Sequence, residues 1–149
     1  MDIEERNTEE LDIYERVVID APPERVWELT LDLARWPEWT PTVDAVEVLD
    51  PGPVRIGTRA RLTQPGNRPA VWTVTVLEAE RAFVWETRAL GMRVTASHLL
   101  DATEGGTTVT LGIDISGPTR PLLGWLVRRA SRKFLPQEAA ALKLECEEQ

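Results

Sequence analysis

Apolar and polar positions alternate through most of this chain, and twice the alternation gives way to a helical period. ERVVID (15–20) alternates, with Val17 and Ile19 on one face and Val18 on the other, which predicts a strand. In APPERVWELTLDLARW, Val26, Leu29 and Leu33 repeat at helical spacing, and Pro23 suits the first helical position. Trp36 precedes Pro37, so this helix should end or turn sharply there. A second short helical turn is expected at 37–39, closed by Pro41. Six further stretches read as strands: 43–49, 57–63, 70–78, 82–88, 92–101 and 108–116. Turn clusters such as DPGP, QPGNRP and TEGGT separate several of them.

The helical period returns over 121–148. Leu123, Val127, Ala130 and Phe134 form an apolar stripe that Ala141 and Leu144 can extend. Pro136 lies inside it, and a kink is expected at 132–136, because proline removes an amide donor and crowds the carbonyl four residues back. Strands joined by short turns imply an antiparallel sheet. One face of that sheet needs a cover, and the long terminal helix is the large apolar element available. The pattern predicts an α+β domain spanning 1–149, with two short helices after the first strand and a loose polar tail at 1–11.

Composition narrows the function classes. A net charge of −8 argues against a nucleic-acid partner, which needs a basic face to neutralise phosphates. The single cysteine, Cys146, makes no internal disulfide, and the single histidine, His98, does not supply a familiar zinc set. No phosphate loop or nucleophile elbow is present, and no cofactor is expected. The acidic start resembles no secretory signal, and the longest apolar run, near 121–127, is too short to span a bilayer. A cytoplasmic setting is the expectation.

The succession IDAPPERVWELT, WPEWTPTV, GTRARL, WTVT, FVWETR, SHLL and GGTTVTL before a terminal helix resembles the polyketide cyclase/dehydrase-like branch of the SRPBCC (START-type) superfamily, over roughly 13–145. That resemblance implies a helix-grip fold, in which a curved antiparallel sheet of six to seven strands wraps a long C-terminal helix and encloses a cavity. Its members include lipid carriers, metabolite binders and aromatic cyclases. No universal catalytic motif comes with it.

Strand phase then assigns candidate cavity residues. Met92, Val94, Ala96, His98 and Leu100 share one face of 92–101, opposite Arg93, Thr95, Ser97 and Asp101. Phe83, Trp85 and Thr87 share a face in 82–88, and Trp72, Val74 and Val76 share one in 70–78. Trp72 and Trp85 are either cavity wall or plain core, and Met92 is more often a gap-filler. Trp36 and Trp39 sit in a proline-fixed segment, either as a rigid aromatic rim or as a staple between helix and sheet edge. Trp27 and Trp125 lie at helical packing positions and read as structural.

His98 is either a neutral core histidine bonded to a carbonyl or hydroxyl, or a polar anchor and candidate acid/base in an apolar cavity. Glu86, Asp101 and Asp114 all fall on outward strand phases, so no catalytic dyad is visible. Arg128, Arg129, Arg132 and Lys133 form a basic cluster, which either complements a helix end and nearby carboxylates or contacts an anionic membrane surface. Three functions stay open. The first is binding or transport of a small hydrophobic ligand, a lipid or a polyketide/aromatic metabolite. The second is a cyclase/dehydrase-type enzyme using His98. The third is a protein-interaction module using Trp36, Trp39 and the basic cluster.

Overall fold

The computed structural model describes residues 11–148. Strand β1 (Ile13–Ile19) leads into α1 (Pro23–Leu31), a 3-10 turn (Leu33–Arg35) and the one-turn α2 (Trp36–Trp39). Six strands follow: β2 (Ala45–Val48), β3 (Arg59–Thr63), β4 (Ala70–Glu78), β5 (Ala82–Ala89), β6 (Met92–Thr103) and β7 (Gly106–Ser116). The chain closes with α3 (Arg120–Glu147), 28 residues long. The strands form one antiparallel sheet in the order β1-β7-β6-β5-β4-β3-β2. This is the expected helix-grip arrangement: a seven-stranded sheet gripping a long C-terminal helix.

Register places the inner face. His98 pairs with Phe83 on one side and Leu111 on the other, and Ala96 pairs with Trp85 and Ile113. Directly opposed residues in an antiparallel ladder point to the same side, so these side chains form one continuous apolar layer. One predicted phase needs correction. A register shift in β4 between Val74 and Val76 sets Val76 opposite Val84 and Leu77 opposite Phe83. A bulge adds one residue and reverses the alternation beyond it. Leu77, not Val76, therefore joins the core layer.

The helices also differ from the expectation in detail. α1 ends at Leu31, short of the expected boundary, and Trp36 takes helical angles (φ −52, ψ −41) although Pro37 follows. It is the first residue of a new helix, where Pro37 falls in the first turn and no amide is missed. Pro136 lies inside α3, which runs through it as one helix, in keeping with the expectation that the proline would not end it. Pro136 and Arg132 are both exposed, so the carbonyl left without an amide sits where water can reach it.

The buried stripe of α3 is rotated from the predicted one. Ser131, Leu135, Ala139, Leu142 and Cys146 are buried, Leu123 and Val127 flank the core, and Leu144 is exposed. Two apolar phases exist on this helix, and the sheet selects between them. Lys143 Nζ donates to the Val18 carbonyl at 2.9 Å and the Asp20 amide donates to Glu147 at 2.8 Å, which pins the end of α3 beside β1. Leu11, within the stretch expected to be loose, is buried against Gly112, while residues 1–10 of that tail lie outside the described residues.

Candidate functional site

A cavity of about 420 Å³ lies between the inner sheet face and α3. That volume falls within the range of small-molecule pockets. Its sheet side includes Trp72, Trp85, Met92, Val94 and His98, and Trp36 closes it from the helical connection. From α3 come Val127, Ser131, Phe134, Leu135 and Glu138. Its exposed lining residues are Asn67 and Arg68 between β3 and β4, Ala89 and Leu90 at the β5–β6 turn, and Leu126 on α3. They mark the open side.

Trp36 joins the two roles that the sequence left as alternatives. It is buried, and its indole Nε1 donates to the carbonyls of Leu29 and Thr30, both at 3.2 Å. Carbonyls in a helix's last turn have no intrahelical partner. Trp36 therefore caps α1 with its nitrogen and presents its rings to the cavity. Around it stand Trp85 at 5.2 Å, His98 at 5.5 Å and Phe83 at 6.3 Å between ring centroids. The edge-on pairs with Trp85 and Phe83 hold orientation as well as area. Trp39 is not part of the cavity wall. It packs edge-on against Trp36 at 6.2 Å and buttresses it from outside the cavity. Trp125, read as structural, is more than half exposed.

His98 has a carboxylate partner that strand phase alone did not reveal. Its Nε2 lies 3.0 Å from Glu138 Oε2, and both side chains are almost wholly buried. Glu138 comes from α3, so the pair bridges sheet and helix across the cavity. The signal was in the helix period: Val127, Ser131, Phe134 and Glu138 recur at three- and four-residue steps, which sets one carboxylate on an otherwise cavity-facing stripe. With Glu138 ionised, Nε2–H donates to it, and a neutral ring then presents Nδ1 as an acceptor. Nδ1 is buried and has no hydrogen-bond partner among the described residues. A buried polar atom without a partner is a natural point for a ligand group or a water. The arrangement offers an apolar, aromatic-walled space with one oriented imidazole. Cys146 takes no part: burial pushes its thiol up to about 11, so it stays protonated near neutrality.

A seven-stranded antiparallel sheet gripping a helix over an apolar cavity defines the helix-grip class. Residues 10–147 match the sequence model of the family described as polyketide cyclase / dehydrase and lipid transport, and the chain belongs to that family. Similar solved structures include a START superfamily protein from Mycobacterium smegmatis, 16% identical, with a TM-score of 0.71 over 91% of this chain and 96% of that one. The Zhui aromatase/cyclase from a Streptomyces species is 16% identical, with a TM-score of 0.69 over 91% and 92%. A protein of Thermus thermophilus is 19% identical, with a TM-score of 0.67 over 90% and 95%. No curated protein sequence matches the chain. Among the described residues, no helix is long and apolar enough to cross a membrane.

Proposed function

We propose that this protein binds a small, largely apolar molecule, a lipid or a polyketide-like aromatic metabolite, in the cavity between sheet and α3. The observation that carries the reading is a single oriented polar pair, His98–Glu138, in a cavity otherwise walled mainly by aromatic and aliphatic side chains. Apolar walls supply affinity through burial, and few polar groups fix orientation. The unpartnered Nδ1 selects a ligand with a hydrogen-bond donor, such as a phenol or hydroxyl. The experiment is native mass spectrometry of freshly purified protein, with organic extraction of anything released. A co-purified apolar molecule of a few hundred daltons is expected. An empty protein that also ignores a broad panel of lipids and aromatic metabolites would remove the carrier reading.

The same pair favours a second reading, an enzyme of cyclase/dehydrase type. The similar Zhui protein is an aromatase/cyclase, and the family is described as including cyclases and dehydrases. In this reading His98 is the catalytic residue and Glu138 positions it. His98 Nδ1 takes a proton from a carbon beside a ketone. The resulting imidazolium is held by Glu138 and returns the proton to a β-hydroxyl, which leaves as water while the carbon–carbon double bond forms. No oxidant or cofactor enters. A His98→Gln variant that keeps ligand binding and loses turnover separates this reading from the carrier. Equal turnover in both proteins would reject it.

A further inference from the structure

Large apolar residues that packing does not explain stand exposed at the start of α3 and on the β5–β6 turn. Leu122 is 75% exposed, Trp125 54% and Leu126 43%, all in the first two turns of α3. Leu90, 70% exposed, stands at the tip of the β5–β6 turn. Leu90 and Gly91 both have positive φ (55 and 79), the geometry of a two-residue hairpin turn that favours asparagine followed by glycine. A leucine there is strained and exposed at once, and local rules tend to be broken where function requires it. The turn touches the helix start, since Thr119 Oγ1 donates to the Leu90 carbonyl at 2.6 Å. Leu90 and Leu126 also line the cavity, so the patch continues into its mouth.

Cations extend the same face. At 100° per residue, Leu122, Trp125, Leu126, Arg129, Arg132 and Lys133 fall within about 120° of one another around α3, turned away from buried Ser131 and Leu135. Apolar residues occupy the first turns and cations the next. From Gly117 to Gln137 the chain has basic residues and no acidic one, in a protein of net charge −8. Arg120 and Arg128 lie 2.6 and 4.0 Å from Asp12, whereas Arg129, Arg132 and Lys133 make no ion pair among the described residues.

We propose that this face of α3, with the Leu90 turn, docks the open side of the cavity onto an anionic phospholipid surface. Leucines and an indole beside a row of cations match the boundary between acyl chains and negative headgroups. The mouth would then open toward the bilayer, where an apolar ligand can pass without crossing water. An acidic protein would be met by the cations but leaves the leucines at the mouth without a reason. This inference goes beyond ligand binding, and its test needs no cavity ligand.

The full chain is sedimented with vesicles of phosphatidylcholine alone and with about a third phosphatidylglycerol. Binding is expected only to the anionic vesicles and should fall steeply between low and high salt. The variants Leu122→Ser/Trp125→Ser and Arg129→Glu/Arg132→Glu alter exposed side chains, and melting curves check that both stay folded. Each is expected to lower partitioning about tenfold or more. A protein that ignores both vesicle types overturns the proposal, as does binding that neither variant changes. A dimer in solution that Leu122→Ser/Trp125→Ser dissociates, with no vesicle binding, assigns the face to a second copy and overturns it too.

Discussion

His98 and Glu138 meet across the cavity, and removing His98 alone should cost more than removing both. Replacing His98 by phenylalanine leaves the Glu138 carboxylate almost wholly buried, its side chain 13% exposed, without its partner at 3.0 Å. Breaking a buried pair from one side costs about 3 kcal/mol, because the remaining charge stays desolvated. Glu138→Leu strands the imidazole, with both nitrogens then unpaired, at about 1–3 kcal/mol. Leucine recovers part of that by filling apolar space beside Phe134 and Leu135. The double variant places two apolar side chains where a satisfied polar pair stood, a change that is often near neutral. The coupling between the two sites is therefore expected at about 2 kcal/mol or more, with the double variant more stable than His98→Phe alone. Urea denaturation of the four proteins at pH 7 measures it, and melting curves repeat it at about 2–4 °C per kcal/mol for a chain of this size. Single losses that add within about 0.5 kcal/mol would mean that the two groups do not interact in solution, and the oriented imidazole would go with them.

Other perturbations probe the frame around the site. Burial alone would raise the Asp12 carboxyl, but the Ile115 amide and then the Arg120 guanidinium more than offset it and hold it below 3.8. A depressed carboxylate stabilises above its unfolded pKa, and that contribution is lost as pH falls through the folded value. Asp12→Asn is thus expected to lower stability at pH 7 by about 1 kcal/mol and to flatten the loss below about pH 4, read from melting curves across pH; an unchanged acid slope would reject the assignment. Pro136→Ala restores an amide for the Arg132 carbonyl on an exposed stretch of α3 and should raise stability by about 1–3 kcal/mol, whereas a lower melting temperature would show that the sheet needs the proline there.

The residues of this chain announce their elements through periodicity. Alternation in 92–101 and 108–116 and the helical repeat after 121 are local properties, set by which side chains a strand or helix turns to one side. They sufficed for an antiparallel sheet covered by one long helix, and for the inward aim of Trp72, Trp85, Met92, Val94 and His98. What they could not supply depends on contacts between distant segments. The bulge in β4 reverses Val76 and Leu77 because β5 fixes the register, and no residue in β4 declares it. Trp36 became a cap for α1 only once the connection folded back to bring its indole to the carbonyls of Leu29 and Thr30. Glu138 lies 40 residues from His98, and its phase on α3 has meaning only when the sheet selects one of two apolar stripes to bury. That same selection left Trp125 outside. Sequence determined which faces each element owned; tertiary packing decided which of them met, because burial is a property of pairs of surfaces and not of one strand or helix alone.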